Sequence, residues 1–282
     1  MIEQDVAPSP LARRRAAYRR RRAWRSTSVA VVSTVVFAAV LWWSVTSAPG
    51  WPRVQATFFD PVVAWRSLPV VLEGLWLNLR VLVVAEVGVL VVGLLIAVLR
   101  TLRGPVFFPV RVLATGYVDL FRGIPVLIAL YLVGYGVPAL RLQGVPTDVV
   151  VLGTLALILT YSAYVAEVFR AGIESIHPSQ RAAARSLGLS HRQSLRLVVL
   201  PQAVRNVLPP LLNDFVALQK DVGLISVLGA VDAIRAAQIE QARSFNFTPY
   251  VVAALLFVLL SVPTGRIADA VAARSTRRRG GA

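Results

Sequence analysis

The sequence contains no cysteine, which excludes disulfide frameworks, thiolate metal sites and cysteine nucleophiles. Histidine is nearly as scarce. Its two copies, His177 and His191, fall in one polar loop and are too few for a histidine-rich metal site. Charge is thin as well: 16% of the 282 residues are charged, against about 25% in an average soluble domain. No G-x-x-x-x-G-K-[ST] phosphate loop occurs, so the chain is not expected to hydrolyse ATP itself. G-x-S-x-G and H-E-x-x-H motifs are also absent, and scattered Ser and Asp residues do not make a triad by position alone. These absences argue against an enzyme and predict neither a metal nor a cofactor.

What is abundant is apolar sequence. Hydrophobic residues make up 56% of the chain and the mean hydropathy is +0.67. Several apolar runs reach the roughly 20 residues that cross a bilayer as a helix. The expected fold is all-α and polytopic, with six transmembrane helices. A basic tail over 1–27 precedes an N-terminal helix over 28–48, in which Trp42 and Trp43 sit where an interfacial aromatic belt would. A proline-bearing connector is expected over 48–70. Further spans follow over 74–99, 111–137, 148–169, 205–228 and 248–268, and a basic tail closes the chain over 274–282. We see no internal repeat.

The net charge of +16 would suggest nucleic acid in a soluble protein. Here the arginines are scattered between spans with no aromatic-interleaved RNA motif, so no nucleic-acid partner is expected and the charge reads as topological. With the N-terminus inside, twenty-two of the 30 basic residues fall in inside segments. These are the N-terminal tail, the C-terminal segment from Arg266 onward, the turn holding Arg100, Arg103 and Arg111, and the polar loop from Arg170 to Arg205. Five fall outside: Arg53, Arg66, Arg141, Arg235 and Arg243. That asymmetry places both termini and the polar loop in the cytoplasm. The Arg-rich N-terminal tail is also suited to weak contact with anionic membrane lipid.

The polar loop Gln180–Pro201 has a structure of its own. Ser179–Leu187 is Ala-rich and predicts two turns of helix. Gly188 supplies the left-handed residue that stops it. Ser190 and Gln193 form a capping-box pattern that starts a second helix, and Leu195, Val198 and Val199 give this helix an apolar face. Pro201 is expected to end or kink it. The pattern fits a docking surface for a cytoplasmic partner, and equally an amphipathic hairpin lying on lipid headgroups.

Charges inside spans are costly and usually face a cavity or a partner. The candidates are Glu86, Asp119, Arg122, Asp214, Lys220 and Asp221. Asp119 and Arg122 share a helix face, with Asp119 about 12 Å into the membrane counted from Arg111. Gly123 and Pro125 follow and predict a broken helix, whose exposed backbone groups suit a zwitterion. Asp119 and Arg122 either neutralise each other or line a substrate path. Lys220 and Asp221 point to different faces, and packing is the commoner role for such a pair. Glu86 could meet Arg122 or Lys220 from another helix. Gly74, Gly88, Gly93, Gly116, Gly134 and Gly136 permit close helix approach.

Taken in order, these motifs resemble a known family. Ala183-Ala184, Gly188, the nine residues Leu189–Leu197 and then Val198-Val199-Leu200-Pro201 are similar to the "EAA" loop of permease subunits of ATP-binding-cassette (ABC) importers. Phe121-Arg122-Gly123-Ile124-Pro125, Glu167–Gly172, Leu200-Pro201-Gln202-Ala203 and Lys220-Asp221 resemble segments of the polar amino-acid uptake branch. The likeness covers about residues 68–270, within a permease domain expected over 68–273. The N-terminal helix lies outside the five-helix core that the family shares.

The resemblance implies that residues 175–201 form a coupling loop, with Ala182, Ala183, Ala184, Gly188, Leu200 and Pro201 at its motif positions. A partner ABC ATPase subunit would bind it and hydrolyse ATP. A second permease subunit, the same or a paralogue, would complete the path, and an extracytoplasmic amino-acid-binding protein would deliver substrate of the glutamate, glutamine or basic amino-acid class. The path itself would run past Glu86, Asp119, Arg122, Lys220 and Asp221. Ala182 stands where the motif has Glu, which removes one acidic contact to the ATPase; a rim ion pair is worth only about 0–1 kcal/mol. The rival reading is an ion-coupled secondary transporter working through Glu86 or Asp119. A membrane scaffold that moves no solute is a third.

Overall fold

The structure is a computed structural model describing residues 10–102 and 104–280. Tail residues 1–9 and 281–282, Arg103, and the side chains at 10, 12–17, 19–21, 23, 181, 191 and 275–280 lie outside the described residues. The described residues form helices and loops with no strand. Four helices are long and apolar enough to cross a membrane, and six spans result when each of two bent pairs counts as one.

The chain divides into two compact units, one up to Thr57 and one from Phe58. In the first, α1 (Pro10–Thr46) joins basic and apolar sequence in one helix. Its stretch Trp24–Thr46 is of membrane-spanning length, and Trp42 and Trp43 are exposed near its end. The short α2 (Trp51–Phe58) follows.

The second unit is built on α3 (Pro61–Thr101). Much of the connector expected over 48–70 is therefore helical. Asp60 accepts hydrogen bonds from the N–H groups of Val62 and Val63, at 2.8 and 3.1 Å, and Pro61 fills the first turn, where a missing donor costs nothing. Pro69 lies inside the helix without ending it. The Asp60 N–H donates to Thr248 Oγ1 at 3.0 Å, joining the starts of α3 and the last helix.

The buried residues of α3 recur every three or four positions: Val71, Leu75, Asn78, Leu82, Ala85, Val89, Gly93 and Ile96. This face packs mainly against α6 (Val149–Glu174), capped at its start by Asp148. A Cβ on Gly88 would lie 2.6 Å from Ile158, and one on Gly93 would lie 2.8 Å from Val165, so these glycines set the close approach of α3 and α6. Gly116 and Gly136 face open space instead, so the expectation of close packing fails there.

The span expected over 111–137 is broken. α4 (Phe108–Gly123) and α5 (Val126–Ala139, with a π-turn at Leu132–Gly136) meet at 108°. Ile124 is extended, as a residue before proline tends to be, and Pro125 restarts the helix. After α6 comes α7 (Pro178–Ser186), then α8 (Arg192–Leu228), which ends on Gly229 at φ +94°. α9 (Ala233–Ser244) and α10 (Thr248–Gly280) complete the unit. The main core joins Leu82, Ala85 and Val89 of α3 to Leu130, Leu157, Tyr161, Val165, Leu218 and Ile225. A second core sets Val71 and Leu75 against Ala233, Ala236 and Ala237 of α9 and Val252 of α10.

Candidate functional site

The polar loop folds into a helical hairpin. His177 caps α7, its Nδ1 accepting the Ser179 N–H at 3.2 Å. Gly188 adopts φ +76°. The Gly188 N–H reaches the Arg185 carbonyl at 2.9 Å, and the Leu189 N–H reaches the Ala184 carbonyl at 3.1 Å. That pair of bonds is a complete Schellman stop. The capping box is also formed: the Ser190 N–H donates to Gln193 Oε1 at 2.9 Å, and the Gln193 N–H to Ser190 Oγ at 3.3 Å.

Pro201 does not end the second helix. A π-turn over Leu195–Val199 shifts the ladder, so that the Leu200 N–H bonds the Leu195 carbonyl, and α8 continues through Pro201. The Gln202 side chain donates to the Val198 carbonyl at 2.9 Å, in the turn where proline offers no donor.

The hairpin has two faces. Ala184 (2% exposed), Ser194, Val199 and Ala203 are buried, and Ile176 packs with the last two at its base. Ala182, Ala183, Leu200 and Pro201 are exposed, together with Arg185, Arg192 and Arg196. Leu187 is 80% exposed at the turn. Of the apolar face expected in the second helix, Val199 is buried but Leu195 is exposed. The root of the hairpin is tight. The Asn206 carboxamide donates to Ser175 Oγ at 2.7 Å across α6 and α8, and a Cβ on Gly172 would strike Val207.

A cavity of about 400 Å³ extends from the broken helix to this root. Arg122, Tyr164, Glu167, Ala171, Gly172, Ser175, Asn206, Pro210 and Asp214 line it. The Arg122 guanidinium sits over the Tyr164 ring, 5.7 Å from its centroid, a cation–π geometry. No ion pair joins it to Asp119 among the described residues. Asp119 is exposed on α4. The i,i+3 spacing places both side chains on one face, but the guanidinium reaches to the aromatic ring of α6 instead.

Asp214 carries a buried carboxylate oxygen that no group among the described residues bonds. Asp221 accepts the Tyr161 hydroxyl at 2.8 Å. Lys220 is exposed and makes no ion pair among the described residues. Glu86 is half-buried and pairs with neither Arg122 nor Lys220. It lies instead within electrostatic reach of Asp214. Of the sequence candidates, the structure thus brings Arg122 and Asp214 to one cavity and leaves Glu86, Asp119, Lys220 and Asp221 outside its lining.

Tyr161, Tyr164, Ser175 and Asn206 carried no sequence signal, because each matters through a partner on another helix. Among the described residues, no group of His, Asp and Glu could hold a metal ion.

Bent apolar spans around a cavity that carries Arg122, Glu167 and Asp214, with the root of a capped hairpin in its wall, fit a membrane transport component. The chain belongs to the family of binding-protein-dependent transport system inner membrane components, which matches residues 89–277. One relative is the probable glutamine ABC transporter permease protein GlnM of Bacillus subtilis (strain 168), 35% identical over 68% of this chain and 87% of its own. Another is the arginine transport system permease protein ArtQ of the same strain, 32% identical over 69% and 87%. Among solved structures, an amino acid ABC transporter with histidines superposes with a TM-score of 0.69. It is 31% identical and covers 76% of this chain and 98% of that one. The inward-facing MetNI methionine ABC transporter, 20% identical with a TM-score of 0.55, shares the fold. The family suggested by the loop motifs is thereby borne out, and the protein is a multi-pass permease of the inner membrane.

Proposed function

We propose that this chain is the permease subunit of an ABC importer for polar amino acids, powered by a separate ATPase subunit. The observation that carries the reading is the hairpin. It is stopped by a Schellman turn, restarted by a capping box and fixed at its root to the helices that line the cavity. Both termini and the hairpin face the cytoplasm, where the exposed Ala182, Ala183, Leu187 and Leu200 meet the ATPase. An extracytoplasmic binding protein delivers the substrate, and a second permease subunit completes the path. The basic tail over 1–27 contacts anionic lipid. The rival ion-coupled transporter has no use for a docking hairpin.

The cavity suits a zwitterion. Arg122 offers a fork to an α-carboxylate, and the Asp214 carboxylate, which lines the same cavity, offers an acceptor to an ammonium group. Relatives named for glutamine and for arginine support this substrate class.

Gly188 supplies the test. The space around its Cα is open, so bulk alone is harmless, but φ +76° strains any L-residue. The cost is about 1–2 kcal/mol, and roughly 1.4 kcal/mol is tenfold. Gly188→Val and Gly188→Arg are therefore expected to weaken capture of the ATPase about tenfold. Gly188→Asn, which tolerates the left-handed region, keeps most of it. Co-purification from native membranes, with bound subunits identified by mass, measures this. Equal recovery of an ATPase with all three variants, or no ATPase with the wild type, overturns the reading.

A further inference from the structure

One set of charges extends beyond the path and the docking surface. Arg100 lies in the last turn of α3, its side chain only 13% exposed. Its Nη1 donates to Glu167 Oε2 on α6 at 2.7 Å. The other oxygen of Glu167 accepts from Arg170, one turn on, and Arg170 also donates to Glu174. Positions 167, 170 and 174 follow one face of the helix, so four alternating charges form a strap from the end of α3 along α6. The strap stops one residue before Ser175, where Asn206 of α8 fastens the hairpin root.

Glu167 has a second role. It lines the same cavity as Arg122 and Asp214. One carboxylate is thus both a wall of the cavity and the middle of the strap. An ammonium group entering the cavity competes with Arg100 and Arg170 for its oxygens. A ligand shifts a conformational equilibrium only through contacts that differ between the states, and an exchange of partners at Glu167 is such a contact.

We propose that Arg100, Glu167, Arg170 and Glu174 form a positioning strap that reports substrate occupancy of the cavity to the coupling hairpin. Arg100 and Glu174 touch neither the cavity nor the hairpin's exposed face. They act through Glu167 and Arg170. The strap rests on the permease reading above.

The test uses the assembled importer in proteoliposomes: this chain, its ATPase subunit and its binding protein loaded with amino acid. The readout is the ratio of substrate-stimulated to basal ATP hydrolysis, taken beside the amount of ATPase that co-purifies. For Arg100→Gln the ratio is expected to fall about fivefold or more, with basal hydrolysis and ATPase recovery at wild-type levels. Arg100→Lys keeps the charge and restores a substantial part of the ratio. Glu174→Gln removes the far end of the strap at a site 60% exposed, where misfolding is not at issue, and lowers the ratio as well.

A wild-type ratio in Arg100→Gln overturns the strap. If Arg100→Gln fails to assemble, Glu174→Gln decides, and a wild-type ratio there overturns it too. Wild-type protein that recovers no ATPase overturns the permease reading, and the strap's role with it; wild-type protein that assembles and responds, with unresponsive ratios in the variants, supports both.

Discussion

Replacing Asn78 by alanine is expected to destabilise the second unit by about 4 kcal/mol. Asn78 lies buried in the middle of α3. Its Nδ2 donates to Asp232 Oδ2 at 2.9 Å and to the Val222 carbonyl at 3.2 Å, and its Oδ1 accepts the Ala233 N–H at 3.1 Å. One side chain thereby satisfies a carboxylate, the end of α8 and the start of α9. Alanine leaves all three unpaired, at roughly 1–3 kcal/mol each. Asp232, fully buried, keeps its cap to the Arg235 N–H through Oδ1 but loses its side-chain donor. Asn78→Asp is worse, since it sets carboxylate against carboxylate. Asp232→Asn keeps the cap and is milder. For a unit of this size a loss of about 4 kcal/mol corresponds to a midpoint lower by about 10 °C. Thermal unfolding of the detergent-purified protein, followed by tryptophan fluorescence, measures it. A midpoint for Asn78→Ala within about 2 °C of the wild type would contradict this account of the clasp.

The second large effect concerns transport. Arg122→Gln is expected to lower amino-acid uptake tenfold to a hundredfold. A hydrogen bond to a charged group contributes about 1.5–3 kcal/mol, and the proposed α-carboxylate contact to Arg122 is of that kind. Arg122→Lys recovers only part, because an ammonium lacks the planar fork and stacks poorly on Tyr164. Asp119→Asn is the control: exposed and unpaired with Arg122, it is expected to stay within about twofold. Initial rates of labelled amino-acid uptake separate the three. Uptake by Arg122→Gln equal to wild type would remove Arg122 from the path.

Local features of this fold are written in short words. Gly188 with Ser190 and Gln193 three residues apart specifies the hairpin turn, and the structure forms each bond those residues offer. Gly123-Ile124-Pro125 specifies the break between α4 and α5, because a residue before proline leaves the helical region. Proline misled elsewhere. Pro69 suggested a connector and Pro201 a helix end or kink; both lie in continuous helix, Pro201 beside a π-turn that shifts the hydrogen-bond ladder. Neighbouring helices supply packing that local propensity does not register.

Charge partners were the least legible. Arg100 and Glu167 are 67 residues apart, and Asn78 and Asp232 are 154 apart. Only the packing of α3 on α6 and α9 brings them together. Asp119 and Arg122, neighbours in sequence, do not pair, because Tyr164 on α6 takes the guanidinium. The loop was readable because its bonds are local. The cavity was not, because its walls come from α4, α6 and α8.

The central claim is that ATP hydrolysed by a partner drives this permease. The most direct measurement is uptake of labelled glutamine or arginine into proteoliposomes containing the chain and its co-purified ATPase, with binding protein outside and ATP trapped inside. The account predicts accumulation that needs ATP, the ATPase and the binding protein together, and that persists when ion gradients are collapsed. Accumulation driven by a proton or sodium gradient in vesicles holding this chain alone would contradict it.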